Sequence, residues 1–165
     1  MLYKKILLKL EENGVKYLVI GGIALNLYGH PRVTKDLDLM ISFEKENMDK
    51  FIEIIKSFKL KPRVSVEIEE LADKNKREHW KQERNMKVFS FHNPENDLEV
   101  VDIMIQDYIN FDEAYKKAEK VSDGSLTVSL ISIDDLIKLK EIANRPNDRA
   151  DIEVLKKLKE LRHER

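Results

Sequence analysis

The stretch VIGGIALNLYGHPRVTKDLDLMI, Val19 to Ile41, decides the reading of the chain. A short apolar run is broken by Gly21-Gly22, IALNLYG leaves room for no more than two helical turns before Pro31, and then acids alternate with apolar residues in DLDLMI. That period of two predicts a strand with Leu37, Leu39 and Ile41 on one face and Asp36, Asp38 and Met40 on the other. On such a strand the α-carbons of Asp36 and Asp38 lie roughly 6–7 Å apart, with both carboxylates on one side of the sheet. Like charges that close repel unless something positive lies between them. A hard divalent cation such as Mg²⁺ answers this, because it prefers oxygen ligands and takes one or two protein carboxylates together with water and substrate phosphates.

Working outward, EVVDIMI is an otherwise apolar strand in which the lone acid Asp102 is unexpected. If that strand lies beside residues 36–42, three carboxylates converge on one edge. An acid at a strand start is often only a loop-end residue, which accounts for Asp36 but poorly for Asp38 and worse for Asp102. Gly21-Gly22 reads either as a plain strand-to-helix turn or as a place where backbone N–H groups approach phosphate oxygens. No G-x-x-x-x-G-K-[ST] and no G-x-G-x-x-G occurs anywhere in the chain, which disfavours those two nucleotide-binding classes.

The bulk numbers bound the rest. A chain of 165 residues is the size of one ordinary domain, and no internal repeat or Gly/Ser linker argues for a second. We therefore expect a single domain over residues 1–165, with the catalytic sheet and its helices in 1–131 and two short helices in 132–165. Charged residues make up 37% of the chain, yet the formal net charge is −1, so bulk attraction to nucleic acid or anionic membrane is absent and would need a local patch. Cysteine is absent, which excludes disulfides, thiolate metal sites and a cysteine nucleophile. No apolar run approaches the ~20 residues that span a bilayer, and MLYKKILLKLEENG has the pattern of an amphipathic helix rather than a signal peptide. The expectation is a soluble cytoplasmic protein without membrane contact.

Leu2, Ile6, Leu7 and Leu10 predict a first helix, KYLVI a buried strand, and Met48, Phe51, Ile52, Ile55 and Phe58 a helix over 43–58. RVSVEI (63–68) reads as a strand, and ADKNKREHWKQERNMK as partly helical. KVFSFH and LEVVDIMI flank the turn-rich NPEND and predict an antiparallel pair. Residues 111–120 look helical, SLTVSLI looks like a strand, Ser132 with Asp135 resembles a helix-start capping arrangement, and two helices follow, divided at Arg145-Pro146. The order predicts an α+β fold, a mixed twisted sheet with helices packed on it and a short C-terminal helical pair.

The apolar strand ending in Gly21-Gly22, the DLDL of 36–39 and the VDI of 101–103 together resemble the nucleotidyltransferase superfamily that shares the DNA polymerase β catalytic fold. GGIALNLYGHPRVTKDLDLMI with LIKLKEIANRPNDRADIEVL is similar, more narrowly, to small prokaryotic antitoxin-type and abortive-infection-type nucleotidyltransferases. The resemblance covers residues 15–42, 98–105 and 132–155, and residues 43–97 contribute nothing to it. It implies that Gly21 and Gly22 hold a nucleoside triphosphate, that Asp36 and Asp38 ligate two Mg²⁺ ions, and that Asp102 ligates one of them and helps deprotonate the acceptor hydroxyl. The implied reaction is in-line attack of that hydroxyl on the α-phosphorus with release of pyrophosphate.

Arg32 and Thr34 match the same subgroup and either touch phosphate or brace the loop; alternatively Arg32 pairs with one of the aspartates. Lys140 reaches a phosphate in this reading, while Arg145, Asp148 and Asp151 serve architecture. His30, His79, His92 and His163 share no metal-ligand spacing. The basic run Lys74–Lys87, with Trp80 inside it, could stack and pair with nucleic acid, but interleaved Asp73, Glu78 and Glu83 favour a solvated helix face. The acceptor is open between a protein hydroxyl, a tRNA end and a small molecule, and a partner protein or a second copy of the chain could complete its pocket. The rival function is a non-catalytic binding module, an antitoxin or scaffold, on the same fold.

Overall fold

The computed structural model describes residues 1–165, apart from the side chain of Asp123. In the interior of its sheet is strand β1 (Tyr17–Ile20), four residues all buried, which can lie only where the sheet is covered on both faces. The expected alternation puts β2 (Asp36–Ile41) antiparallel to it, with Tyr17 opposite Ile41 and Ile20 opposite Asp38. β5 (Asn96–Met104) runs parallel to β2 on its other side, and β4 (Val88–Asn93) pairs antiparallel with β5 across the NPEND turn. With β3 (Lys61–Pro62) at one edge and β7 (Leu126–Leu130) and β6 (Glu119–Asp123) at the other, the sheet has seven strands in the order β3-β4-β5-β2-β1-β7-β6.

Helix α1 (Leu2–Glu12) buries Ile6, Leu7 and Leu10, and α3 (Lys45–Ser57) buries Met48, Phe51, Ile52 and Ile55. α3 is fixed by a residue outside its apolar stripe: buried Asn47 accepts the Lys16 N–H at 2.7 Å and donates to the Lys16 and Ser42 carbonyls at 3.1 and 2.8 Å. α2 (Gly21–Leu27) follows β1 directly, and α5 (Phe111–Lys116) precedes β6. Ser132 caps α6 (Ile133–Ala143) by accepting the Asp135 N–H at 3.2 Å. α6 ends at left-handed Asn144, and α7 (Pro146–His163) turns back against it with proline in the first turn, where no intrahelical N–H is lost.

Two expectations need correction. RVSVEI is not a strand: pairing is limited to Lys61–Pro62 plus one bond from the Arg63 N–H to the Ser90 carbonyl, after which the chain bends into a 3-10 turn over Ile68–Ala72. Residues 111–120 are not one helix, because α5 stops at Lys116 and β6 begins at Glu119. The basic run forms α4 (Lys74–Arg84), capped by the Asp73 carboxylate, with its most conspicuous residues turned inward. Trp80 is 2% exposed and packs on Phe89, and the Arg77 guanidinium lies 4.0 Å from the Phe43 ring centroid and donates to the Leu71 carbonyl. Trp80 therefore has no free face for a nucleobase. Among the described residues no helix is long and apolar enough to cross a membrane.

Candidate active site

Leu37 and Leu39 of β2 and Val101 and Ile103 of β5 all point into the core at 1% exposure or less. The residues between them must then emerge on the opposite face. The parallel register sets Asp38 directly beside Asp102 and Leu37 beside Val101, with Asp36 beside Val100. Asp38 and Asp102 are thus cross-strand neighbours, and Asp36 lies one pleat repeat away on the same face.

The space over Asp38 exists because residue 21 has no side chain. Gly21 adopts φ of +66° where β1 turns into α2, and a β-carbon built there would overlap the Asp38 carboxylate and lie 2.8 Å from its Cγ. Gly22 makes similar room for Thr34, whose Oγ1 would be 2.8 Å from an added β-carbon. Asn26 clamps the intervening loop by accepting the Arg32 N–H at 2.7 Å and donating to the Arg32 carbonyl at 3.1 Å.

Burial, reinforced by the charges of Asp102 and Asp36, pushes the Asp38 carboxyl up to about 7, against the opposing pull of Arg145 and Lys140. Burial also raises Asp102, with Asp36 adding to it; the Ser90 hydroxyl, donating to Asp102 Oδ1 at 2.5 Å, and the Arg63 charge counter this. Among the described residues no ion pair joins any of the three acids, and three of the nearby cations are engaged elsewhere. Arg32 pairs with Asp151, Lys140 with Asp151 at 2.8 Å and Asp148 at 3.5 Å, and Arg145 with Asp148 at 3.0 Å. Arg32 thus pairs with Asp151 on α7 and with neither Asp36 nor Asp38.

Gly21, Asp38 and Asp102 floor a cleft of about 240 Å³. Its opposite wall is Leu136, Leu139, Lys140 and Ile142 of α6 together with Arg145, and Val88, Met104 and Tyr108 close the end. Of the residues expected at the site, Gly21, Asp38, Asp102 and Lys140 line this cleft, whereas Asp36 at the start of β2, Gly22 in α2, and Arg32 and Thr34 in the loop before β2 do not. The reading of the sequence missed Ser90 and Tyr108 and gave Arg145 to architecture alone. The one signal for Ser90 is the alternation in KVFSFH, which sets it on the face opposite Phe89 and Phe91; that this face meets Asp102 is decided by the pairing of β4 with β5.

The donor set is all oxygen, which suits a hard cation, and two adjacent carboxylates are the protein share that Mg²⁺ takes when phosphate supplies further ligands. Among the described residues no three His, Cys, Asp or Glu side chains are grouped to hold a metal ion by themselves.

Solved structures with this fold define the class. ANT(2")-Ia in complex with adenylyl-2"-tobramycin matches with a TM-score of 0.61 at 16% identity over 98% of this chain and 93% of the other. The lincosamide antibiotic adenylyltransferase LnuA, lincomycin-bound, matches at 0.58 and 17% over 90% of each chain, and a provisionally assigned nucleotidyltransferase from Thermotoga maritima at 0.56 and 16% over 99% and 92%. At these identities the likeness shows the fold, which is that of the nucleotidyltransferases. The family model described as nucleotidyl transferase AbiEii toxin, type IV toxin–antitoxin system, matches residues 6–154, and the chain belongs to that family. No curated protein matches the chain significantly.

Proposed function

We propose that the protein transfers a nucleoside monophosphate from a nucleoside triphosphate to an acceptor hydroxyl at the cleft floored by Asp38 and Asp102, and that it depends on Mg²⁺. The observation that carries this is the cross-strand pair itself, set side by side on the floor of a cleft, raised by burial and by neighbouring carboxylate charge, and joined to no ion-pair partner among the described residues. Asp36 and Asp38 would hold two Mg²⁺ ions with Asp102, and bound metal would supply charge stabilisation of the attacking and leaving oxygens. Asp102 would take the acceptor proton, and the Ser90 hydroxyl that donates to it supports this role by holding the carboxylate's orientation. Gly21 keeps a side chain away from the space over Asp38, where the triphosphate would lie, and Gly22 would serve it by letting Thr34 pack close behind. Arg32 and Thr34 brace the loop that carries Asp36 into β2.

We read the chain as one catalytic domain acting in the cytoplasm, where nucleoside triphosphates are at hand. ANT(2")-Ia and LnuA are described with small-molecule antibiotics, whereas the family is described as the toxin of a toxin–antitoxin system. The family favours the toxin side, with a cognate antitoxin as partner and a protein or tRNA hydroxyl as acceptor. The cleft is small and its outer wall is only α6 and the start of α7, so a partner chain or a second copy would complete the acceptor pocket. Incubation with α-labelled nucleotides, Mg²⁺ and a lysate of the source cell should place label on protein, RNA or small solute, with release of pyrophosphate. Asp38→Ala and Asp102→Asn should each reduce transfer at least about a hundredfold while remaining folded. Transfer by Asp38→Ala at the parent rate would overturn the assignment.

A further inference from the structure

Three cations line the cleft, Lys87 just before β4, Lys140 on α6 and Arg145 at the α6–α7 junction, and the structure distinguishes the last two sharply. The Lys140 side chain is 5% exposed, and its ammonium already lies between two buried carboxylates, Asp151 at 2.8 Å and Asp148 at 3.5 Å. A phosphate could reach it only by displacing one of them into a site closed to water. The Arg145 side chain is 70% exposed on the same cleft, and its charge is felt by Asp38. Resting on the nucleotidyl-transfer reading, we propose that the Arg145 guanidinium binds the polyphosphate of the nucleotide and that Lys140 is a positioning residue.

The charge count supports the division. Arg32, Asp151, Lys140, Asp148 and Arg145 form a continuous alternating chain of ion pairs. It holds three cations and two anions, so one positive charge is left over, and the exposed end of the chain is Arg145. Its Nε donates to Asp148 Oδ2 at 3.0 Å and its Nη2 to Oδ1 at 3.4 Å. A guanidinium has five N–H donors, so three stay available in a plane already fixed by Asp148. That is the fork geometry that suits phosphate oxygens, and its ordering is complete before ligand arrives. Asp148 can do this because it is 3% exposed, caps α7 by accepting the Arg145 N–H at 2.9 Å, and has Lys140 behind it to offset its charge. Lys140 thus acts on the ligand only through Asp148.

Inorganic pyrophosphate with Mg²⁺, titrated into the full chain by calorimetry, tests this without an acceptor. The parent should bind, Arg145→Ala should weaken binding at least about tenfold, and Arg145→Lys should recover part of it because the charge returns without the fork. Lys140→Met should lower the thermal midpoint while changing pyrophosphate affinity less than Arg145→Ala does. If Lys140→Met does not fold, the double variant Lys140→Met/Asp151→Asn, which removes both partners of that pair, takes its place. Equal affinity in the parent and Arg145→Ala, a larger loss in the Lys140 variant, or no binding by the parent would each overturn the assignment. Pyrophosphate binding through Arg145 with no nucleotide transfer to any acceptor would instead count against the transfer reaction alone.

Discussion

A methyl group at position 21 would occupy the space of the Asp38 carboxylate, and φ of +66° strains any residue with a β-carbon. Gly21→Ala should therefore destabilise the protein by about 2 kcal/mol or more, measured by chemical denaturation. The double variant Gly21→Ala/Asp38→Gly should recover the steric part and leave the smaller backbone strain; a double variant no more stable than the single would show that the contact is not the cause. Asp36, Asp38 and Asp102 could be picked out from the sequence because each is an acid in an apolar strand. Ser90 and Arg145 could not be ranked the same way. A serine between two phenylalanines and an arginine before a proline each have ordinary surface roles, and only the neighbours across space, Asp102 and the cleft, separate them from those.

At the scale of elements, α3 depends on one polar side chain as well as on its apolar stripe. Asn47 makes three hydrogen bonds to backbone groups where β1 begins and β2 ends, so Asn47→Ala removes one buried and two part-buried hydrogen bonds at that junction. The expected loss is about 2 kcal/mol in equilibrium unfolding, with unchanged helix content by circular dichroism. A loss below about 0.5 kcal/mol would mean that water replaces the amide. The helices with clear apolar periodicity and the alternating strands were legible because each buries one face of its own. RVSVEI misled because Val64 and Val66 alternate like a strand, yet they only pack against the core from a bent loop. β6 was invisible because Glu119–Asp123 holds one apolar residue, Val121, and is paired on one side only, so register with β7 rather than burial makes it a strand.

Across the whole molecule, charge crowded on a partly buried sheet face must make stability depend on pH. The Asp38 carboxyl stands near 7 in the folded chain against an ordinary value of 3.8. Between those values the folded protein keeps a proton that the unfolded chain releases, so this stabilising contribution is present in full below about pH 4 and lost as pH rises through 7. Raised Asp102 acts in the same direction. Asp38→Asn cannot lose that contribution, and its stability relative to the parent should grow by on the order of 2 kcal/mol between pH 5 and pH 8 in metal-free buffer. A pH-independent difference would show that Asp38 titrates normally. Mg²⁺ with nucleoside triphosphate should raise the thermal midpoint of the parent more at pH 8 than at pH 5, because protonation competes with the cation.

The sequence by itself determined the mixed α and β class, most of the elements and the acids that stand out in apolar strands. Each of those follows from periodicity along the chain or from a charge standing in an apolar run. The tertiary structure alone decided that Asp38 meets Asp102, that Arg32 turns to Asp151, and that Lys140 is buried between two carboxylates while Arg145 stays exposed on the cleft. Those outcomes depend on strand order and on how α6 and α7 close over β2 and β5. Contacts between residues tens of positions apart are set by packing, which no local pattern encodes.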